Sequence, residues 1–176
     1  MYRASPEFSF VGAWQPGADE SARGVLHGVS DANYGVARST SGILIMLCGA
    51  AVLWRVVVQR SPAISPAEAE FYALSSTVAE LVYARQLLEE LGHVFSAATQ
   101  CFCDSRAARL MADHGSSTSR TRHVHRRWHF MKFHTDDGDV WIAAIKGLRN
   151  PANGLTKFTA GPLFIRERKY MGLVAG

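Results

Sequence analysis

The sequence has no apolar run long enough to cross a bilayer as a helix, which takes about 20 consecutive apolar residues. Its longest apolar stretch covers residues 42–54 and is interrupted by Gly49. The N-terminus has no apolar segment of the kind found in secretory signals, although a processed organelle presequence stays open. Membrane insertion and secretion are therefore not expected.

Cysteine is also scarce, and the three that occur are Cys48, Cys101 and Cys103, all in strand-like segments. A small, odd number of cysteines predicts reduced, buried thiols and no disulfide framework. We therefore expect an intracellular, reducing compartment. The sequence leaves open whether this is the cytoplasm, the nucleus or an organelle.

Two motifs of common enzymes are missing. No Gly-x-Ser-x-Gly elbow occurs, so a serine-hydrolase triad is not supported. No glycine-rich phosphate loop occurs either, which argues against the usual nucleotide-binding folds.

Charge is nearly balanced, with 19 Lys and Arg against 15 Asp and Glu and a formal net charge of +4. The excess is concentrated in residues 120–132, where the basic residues are Arg120, Arg122, Arg126, Arg127 and Lys132. Basic clusters bind phosphates without reading base sequence. This segment therefore predicts either a phosphate-contacting surface or a solvated basic face, and both remain open.

The chain is long enough for one domain with a full core. Residues 1–23 are predicted to be an N-terminal extension or loop, residues 24–160 the domain, and residues 161–176 a C-terminal helix or tail. Apolar and β-branched patterns predict strands at 24–31, 41–58 (a hairpin), 99–104 and 139–145. Helices are predicted at 66–91, 105–113, 122–135 and 150–157.

The start of the long helix is well marked. Ser65 is a suitable N-cap, Pro66 suits the first helical position, and Glu68 completes a Ser-x-x-Glu capping box. Glu70 lies two residues further on, and capping does not explain it. It falls near the apolar face of the helix.

Two further acids, Asp31 and Asp104, each end an apolar strand. If the first and fourth strands are neighbours and the long helix crosses them, Glu70 can meet both aspartates. Converging carboxylates repel each other and need cations, and oxygen ligands favour Mg²⁺ or Mn²⁺. Spacing alone leaves open the simpler alternative that all three are solvated acids.

Six ordered blocks bear on these alternatives. They are VSDANYG (29–35), RSTSG (38–42), SPAEAEF (65–71), FCDS (102–105), SRTRHVHRRWHF (119–130) and ANGLTK (152–157). In order and approximate spacing they resemble the ribonuclease H domain of copia-type (Pseudoviridae) retrotransposon Pol polyproteins. The resemblance extends from about residue 24 to residue 160.

The resemblance implies an α/β ribonuclease H-like fold, a five-stranded mixed sheet flanked by helices. It implies Mg²⁺- or Mn²⁺-dependent cleavage of the RNA strand of RNA–DNA hybrids. The implied catalytic positions are Asp31, Glu70, Asp104 and Asn153, of which the three acids would bind metal. The implied nucleic-acid contacts are Arg38, Ser39, Arg120, Arg122, His123, Arg126 and Arg127.

The chain departs from the family pattern near the expected site. Asn153 stands where the family has its fourth acid, and Val57 and Val58 replace two lysines. His125 replaces an aspartate, and Asn33 replaces another. These losses support a second hypothesis: a domesticated, weakened or inactive domain serving as a structural or RNA-binding subunit of a larger assembly such as a ribonucleoprotein.

Two aromatic features have simpler explanations. His125 and His129 are spaced as a usable zinc pair, but no well-placed third ligand follows, so a basic helix is the preferred interpretation. Trp54, Trp128 and Trp141 are predicted to pack in or against the core and not to stack on bases.

Overall fold

A computed structural model of the chain describes residues 26–35, 37–114, 122–159 and 161–173. The strands are β1 (Leu26–Asn33), β2 (Thr40–Leu47), β3 (Ala50–Val58), β4 (Thr99–Cys103) and β5 (Val140–Ala144). The helices are α1 (Pro66–Glu90), α2 (Arg106–His114), α3 (Arg122–Asp136), α4 (Asn153–Thr156) and α5 (Pro162–Tyr170), with a 3-10 turn at Gly147–Arg149. None of the helices in these ranges is long and apolar enough to cross a membrane.

The strands form one mixed sheet in the order β3-β2-β1-β4-β5. β2 pairs antiparallel with β1 and with β3, which is the predicted hairpin beside the first strand. β4 pairs in parallel with β1 and with β5. The predicted five-stranded mixed sheet is confirmed, and the first and fourth strands are neighbours.

Helices pack against both faces of the sheet, because side chains alternate along each strand and place apolar residues on both sides. On β3, Val52, Trp54, Val56 and Val58 stay more than half exposed. On one face, α1 packs with α2 and α3 around a core that includes Leu26, Ile45, Phe71, Leu74, Val78, Cys101 and Met131. On the other face, α4 and the end of α5 cover a smaller cluster that includes Val29, Leu44, Phe102, Leu155 and Tyr170. The central strands of the sheet therefore lie between two packed layers.

The start of α1 follows the predicted capping arrangement. The Ser65 hydroxyl accepts a hydrogen bond from the Glu68 backbone N–H at 3.2 Å. Glu68 in turn accepts from the Ile64 N–H at 2.7 Å and from the Tyr72 hydroxyl at 2.8 Å. Glu68 is thus fully engaged in fixing the helix start, which leaves Glu70 available for another role.

The last helical region, predicted to start within residues 150–157, is interrupted. Its first part is the single turn of α4, because Lys157 already has extended backbone angles. A separate helix, α5, begins after Gly161, whose φ of 60° favours glycine. The predicted loop 1–23 lies outside the described residues, and the proposed domain limits stay predictions.

Three burial predictions are wrong. Cys48 is exposed, because it lies in the tight β2–β3 turn with a φ of 51°. Trp54 and Trp141 are 63% and 57% exposed, because each lies on an outermost strand of the sheet. Trp128 is half-buried, as predicted, against the core on the α1 side.

Candidate metal centre and nucleic-acid surface

The parallel pairing of β1 and β4 brings Asp31 and Asp104 to the same edge of the sheet. Ser30 is aligned with Cys103, and the two aspartates follow these residues. Asp104 comes directly after β4, as predicted, whereas Asp31 lies inside β1, which continues to Asn33 because its last residues still pair with β2. Helix α1 crosses β1, and Glu70 lies in its second turn. The sequence expectation that neighbouring strands and a crossing helix place these acids together agrees with this topology.

Glu70 and Asp104 lie closest together. One carboxylate oxygen of each, together with the Cys103 sulfur, falls within a group whose atoms are all within 4.8 Å of one another. Burial and the nearby Glu70 carboxylate raise the pKa of the Cys103 thiol to about 12, so the sulfur keeps its proton. The carboxylates are therefore the available ligands in this group, named here the Glu70–Asp104 half of the centre.

The electrostatics of Glu70 favour a cation beside it. Burial, reinforced by the charges of Asp31 and Asp104, raises the pKa of Glu70 to about 8. Its Oε2 atom is buried and has no hydrogen-bond partner among the described residues. A buried carboxylate oxygen without a partner is costly unless a proton or a cation satisfies it.

Asp31 is in a different state, and unlike Glu70 it is buried as a whole residue. The Thr156 hydroxyl donates to its Oδ2 atom, and the Lys157 ammonium donates to its Oδ1 atom at 3.2 Å. Burial raises the pKa of Asp31, while Thr156 and Lys157 act to lower it. Both oxygens of this carboxylate therefore already have partners.

Asn153 completes the second half of the centre. Its amide nitrogen donates to the Gly147 carbonyl at 2.7 Å. Its Oδ1 atom accepts from the same Lys157 ammonium at 2.9 Å. Lys157 thus bridges Asp31 and Asn153. These two residues are named here the Asp31–Asn153 half of the centre.

Three features of the fold hold α4 over β1. The Asn150 amide, 1% exposed, donates to the Ser30 carbonyl at 2.9 Å and accepts from the Ala152 N–H at 2.9 Å. Gly42 lies opposite Asp31 in β2, and a Cβ there would come within 2.7 Å of the Thr156 methyl group. A glycine at position 42 therefore lets Thr156 and Lys157 approach Asp31.

The donor set fits a hard divalent cation. Oxygen ligands from carboxylates are those that Mg²⁺ and Mn²⁺ prefer. In the Glu70–Asp104 half, the unpartnered Glu70 oxygen and the Asp104 carboxylate offer such ligands, and the Asp31 charge lies near enough to act on Glu70. The residues present therefore fit at least one ion on this side.

The predicted nucleic-acid contacts lie in different environments. Arg38 and Arg126 are exposed. Ser39 has no exposed surface, and its hydroxyl accepts from the Gly35 N–H at 3.4 Å, which places it inside the turn after β1. Arg120 and the side chains of Arg122 and His123 lie outside the described part of the chain, so their roles stay predictions.

Arg127 is half-buried against α1. Its guanidinium donates to the Ser75 and Ser76 hydroxyls at 3.3 and 3.1 Å and lies 5.3 Å from the centre of the Tyr72 ring. Burial lowers its pKa. Arg127 therefore links α3 to α1, whereas its neighbour Arg126 faces solvent.

A groove of about 640 Å³ runs between these helices and the β2–β3 hairpin. Its basic lining residues are Arg55, Arg60, Arg126 and Arg127. Glu80 forms an ion pair with Arg55 there, so the groove is not uniformly positive. The groove is an electropositive depression beside the helix that carries Glu70.

Sequence reasoning did not assign the residues that partner Asp31. Thr156 and Lys157 occur in the quoted ANGLTK block, and Cys103 occurs in FCDS, but none was given a role. Asn150 was not singled out at all. The Thr-Lys pair that ends the ANGLTK block, a hydroxyl next to an ammonium, was the available signal for a contact with the acids.

The chain is similar to segments of retrovirus-related Pol polyproteins from plant transposons. It is 30% identical over 136 residues to that of transposon TNT 1-94 from Nicotiana tabacum, covering 77% of this chain and 10% of the relative. It is 26% identical over 153 residues to that of transposon RE2 from Arabidopsis thaliana, covering 85% of this chain and 10% of the relative. The chain thus spans about a tenth of the length of the curated relatives it matches. No protein-family model matches it.

Solved structures with the same architecture are ribonucleases H. LC11-RNase H1, in its complex with an RNA/DNA hybrid, superposes with a TM-score of 0.51 at 8% identity, over 71% of this chain and 88% of that chain. RNase H1 from the archaeon Halobacterium salinarum superposes with a TM-score of 0.50 at 14% identity, over 76% and 94%. At these identities the similarity establishes the fold.

The sheet order, the helix across it and these superpositions define the chain as a ribonuclease H-like α/β domain. More particularly, its relatives are copia-type Pol polyproteins, which confirms the resemblance seen in the six sequence blocks.

Proposed function

We propose that the chain is a retroelement-derived ribonuclease H that cleaves the RNA strand of RNA–DNA hybrids with a divalent metal ion. The observation that supports this most directly is the Glu70–Asp104 half of the centre. It presents closely spaced carboxylates beside paired parallel strands, and one buried oxygen there has no partner in the part of the chain that the structure describes.

Each residue of the centre would have a role that follows from its place in the fold. Glu70 and Asp104 would supply the ligands for Mg²⁺ or Mn²⁺, with the Asp31 charge acting beside them, and such an ion, when bound, supplies activation of water and stabilisation of charge on a phosphodiester. Strand β1 carries Asp31, Asp104 follows β4 directly, and the capped start of α1 carries Glu70. The Cys103 thiol keeps its proton and donates to the Ser105 carbonyl, 3.8 Å away.

The substrate would be held mainly through its phosphates. Arg126 is exposed on α3, and Arg38 is exposed beside the β1–β2 turn. Arg120, Arg122 and His123 stay phosphate contacts predicted from the sequence. Because such contacts are electrostatic, hybrid binding is expected to weaken steeply with added salt.

A second candidate is a captured subunit that binds RNA or protein without cleaving. It is favoured by Asn153, which brings no negative charge to the centre and whose amide atoms are both bonded within the chain. The fold does not distinguish the two candidates, because one fold hosts many functions.

The deciding experiment is cleavage of a labelled RNA–DNA hybrid by wild type and by Asp104→Asn, in Mg²⁺ and then in Mn²⁺. The matched control is Asp113→Asn, which neutralises an exposed aspartate on α2. We expect wild type and the control to cut and Asp104→Asn to lose the activity. A folded wild type that leaves the hybrid uncut in both metals would favour the captured subunit, and its partners would then be sought by co-purification.

A further inference from the structure

The Lys157 ammonium lies between two oxygens that belong to different parts of the chain. It is 3.2 Å from Asp31 Oδ1, on strand β1, and 2.9 Å from Asn153 Oδ1, on helix α4. Both distances are those of hydrogen bonds from an ammonium to oxygen. A positive charge therefore already occupies the space between the two residues.

Both carboxylate oxygens of Asp31 and both amide atoms of Asn153 have partners among the described residues. Asp31 receives the Thr156 hydroxyl on its second oxygen, and the Asn153 nitrogen donates to the Gly147 carbonyl. The Glu70–Asp104 half differs, because Glu70 Oε2 is buried without a partner among the residues described. The two halves of one centre therefore differ in whether they still require a cation.

The balance of charges also shows that the Asp31–Asn153 half does not require a further cation. With an amide at position 153, the Asp31–Asn153 half contains one carboxylate, and Lys157 supplies one positive charge. A divalent ion bound to the same Asp31 oxygen would lie within a few ångströms of the ammonium and be repelled by it. It would also lack the second carboxylate that usually secures such an ion.

We propose that the Lys157 ammonium is a resident cation that takes the place of a second divalent ion, so that the centre binds a single divalent ion in its Glu70–Asp104 half. This inference rests on the proposed metal-dependent function and specifies how that centre is filled. Lys157 acts as a positioning residue, since it holds the Asp31 carboxylate through charge and hydrogen bonding.

The ammonium also has capacity left for substrate. It carries three N–H donors, of which two point to Asp31 and Asn153. The Lys157 side chain is 47% exposed, so the third donor can face solvent. A phosphate oxygen of a bound strand is the class of group that this donor would meet.

The test counts bound ions directly. MnCl₂ is titrated into metal-free protein by calorimetry, and free Mn²⁺ is followed by electron paramagnetic resonance. The proteins are wild type, the double variant Asn153→Asp/Lys157→Met and the control Lys169→Met, which removes an exposed lysine of α5. Thermal melts establish that each variant is folded.

We expect one Mn²⁺ per chain for wild type and for Lys169→Met, and two for the double variant, where a carboxylate replaces the amide and the ammonium is gone. Two ions on wild type would overturn the inference and leave the proposed function standing. No ion on wild type would overturn the proposed metal centre itself. If the double variant does not fold, the wild-type count alone decides.

Discussion

The two halves of the acidic centre are built from the same kind of residue and yet are in opposite states. In the Asp31–Asn153 half, α4 supplies a hydroxyl and an ammonium, and the buried carboxylate is fully bonded. In the Glu70–Asp104 half, the carboxylates lie close together, and one buried oxygen has no partner among the described residues. The comparison teaches that proximity of acids does not by itself define a metal site; the neighbouring donors decide which acids remain available.

The largest effect on hybrid cleavage is expected from Glu70→Gln, which removes a negative charge from the Glu70–Asp104 half. Loss of one carboxylate ligand should reduce hybrid cleavage by about a hundredfold or more, because a bound metal ion contributes several kcal/mol of transition-state stabilisation. Cleavage rates and Mn²⁺ affinity are measured together. Glu90→Gln, at the exposed end of α1, is the matched control, and equal losses in both variants would contradict the assignment.

Thr156→Val tests the Asp31–Asn153 half, in which both oxygens of the buried carboxylate have hydrogen-bond partners. It leaves a buried oxygen of Asp31 without its hydroxyl donor, which should destabilise the protein by about 1–3 kcal/mol. Urea unfolding in the absence of metal measures this change. Thr156→Ser keeps the hydroxyl and should recover most of the stability; a valine variant as stable as wild type would show that the hydrogen bond matters little.

The pH dependence of stability sharpens the comparison. Without metal, the pKa of Glu70 is about 8 in the folded chain against an ordinary 4.5, so the folded state holds a proton that the unfolded chain releases. Its contribution to stability is complete below about pH 4.5 and is lost as the pH rises through about 8. Melting temperatures in EDTA should fall over this range.

The comparison for that titration is Glu70→Gln, which cannot release a proton there and should show a flatter profile. Asp31, whose pKa is also raised by burial, contributes in the same direction in both proteins. Identical profiles for the two proteins would mean that Glu70 does not titrate as described.

The smallest effect is expected from two neighbouring arginines of α3. Arg127 is hydrogen-bonded within the chain, whereas Arg126 is exposed. Arg126→Ala should weaken hybrid binding by roughly two- to tenfold and reduce the slope of affinity against salt by about one. Arg127→Ala should instead lower stability, because Arg127 bonds to Ser75 and Ser76 on α1. Binding and melting measurements on both variants would contradict this division if the two effects were exchanged.

Much of the fold around the site was predictable from local sequence. The Ser65–Glu68 capping box predicted where α1 starts, and the apolar strands ending in Asp31 and Asp104 predicted two acids at one sheet edge. These signals are contained in short windows. They needed only the pairing of the first and fourth strands to become a site.

The missed features depend on contacts that no short window contains. The Lys157–Asp31 contact joins residues 126 positions apart, and it requires the Asn150 tether and the absence of a side chain at Gly42. Trp54 was misjudged because an apolar strand pattern does not reveal that β3 is outermost. The place of each residue in the fold, and not the composition of its segment, determined the Lys157–Asp31 contact and the exposure of Trp54.

The link between Thr156 and Asp31 also bears on how the chain folds over time. The two residues are 125 positions apart, so their contact forms only after the intervening chain has been closed into place. Contacts of this range tend to form late, and their loss then mainly accelerates unfolding. We therefore expect the bonds around Asp31 to prolong the lifetime of the native state more than they speed its formation.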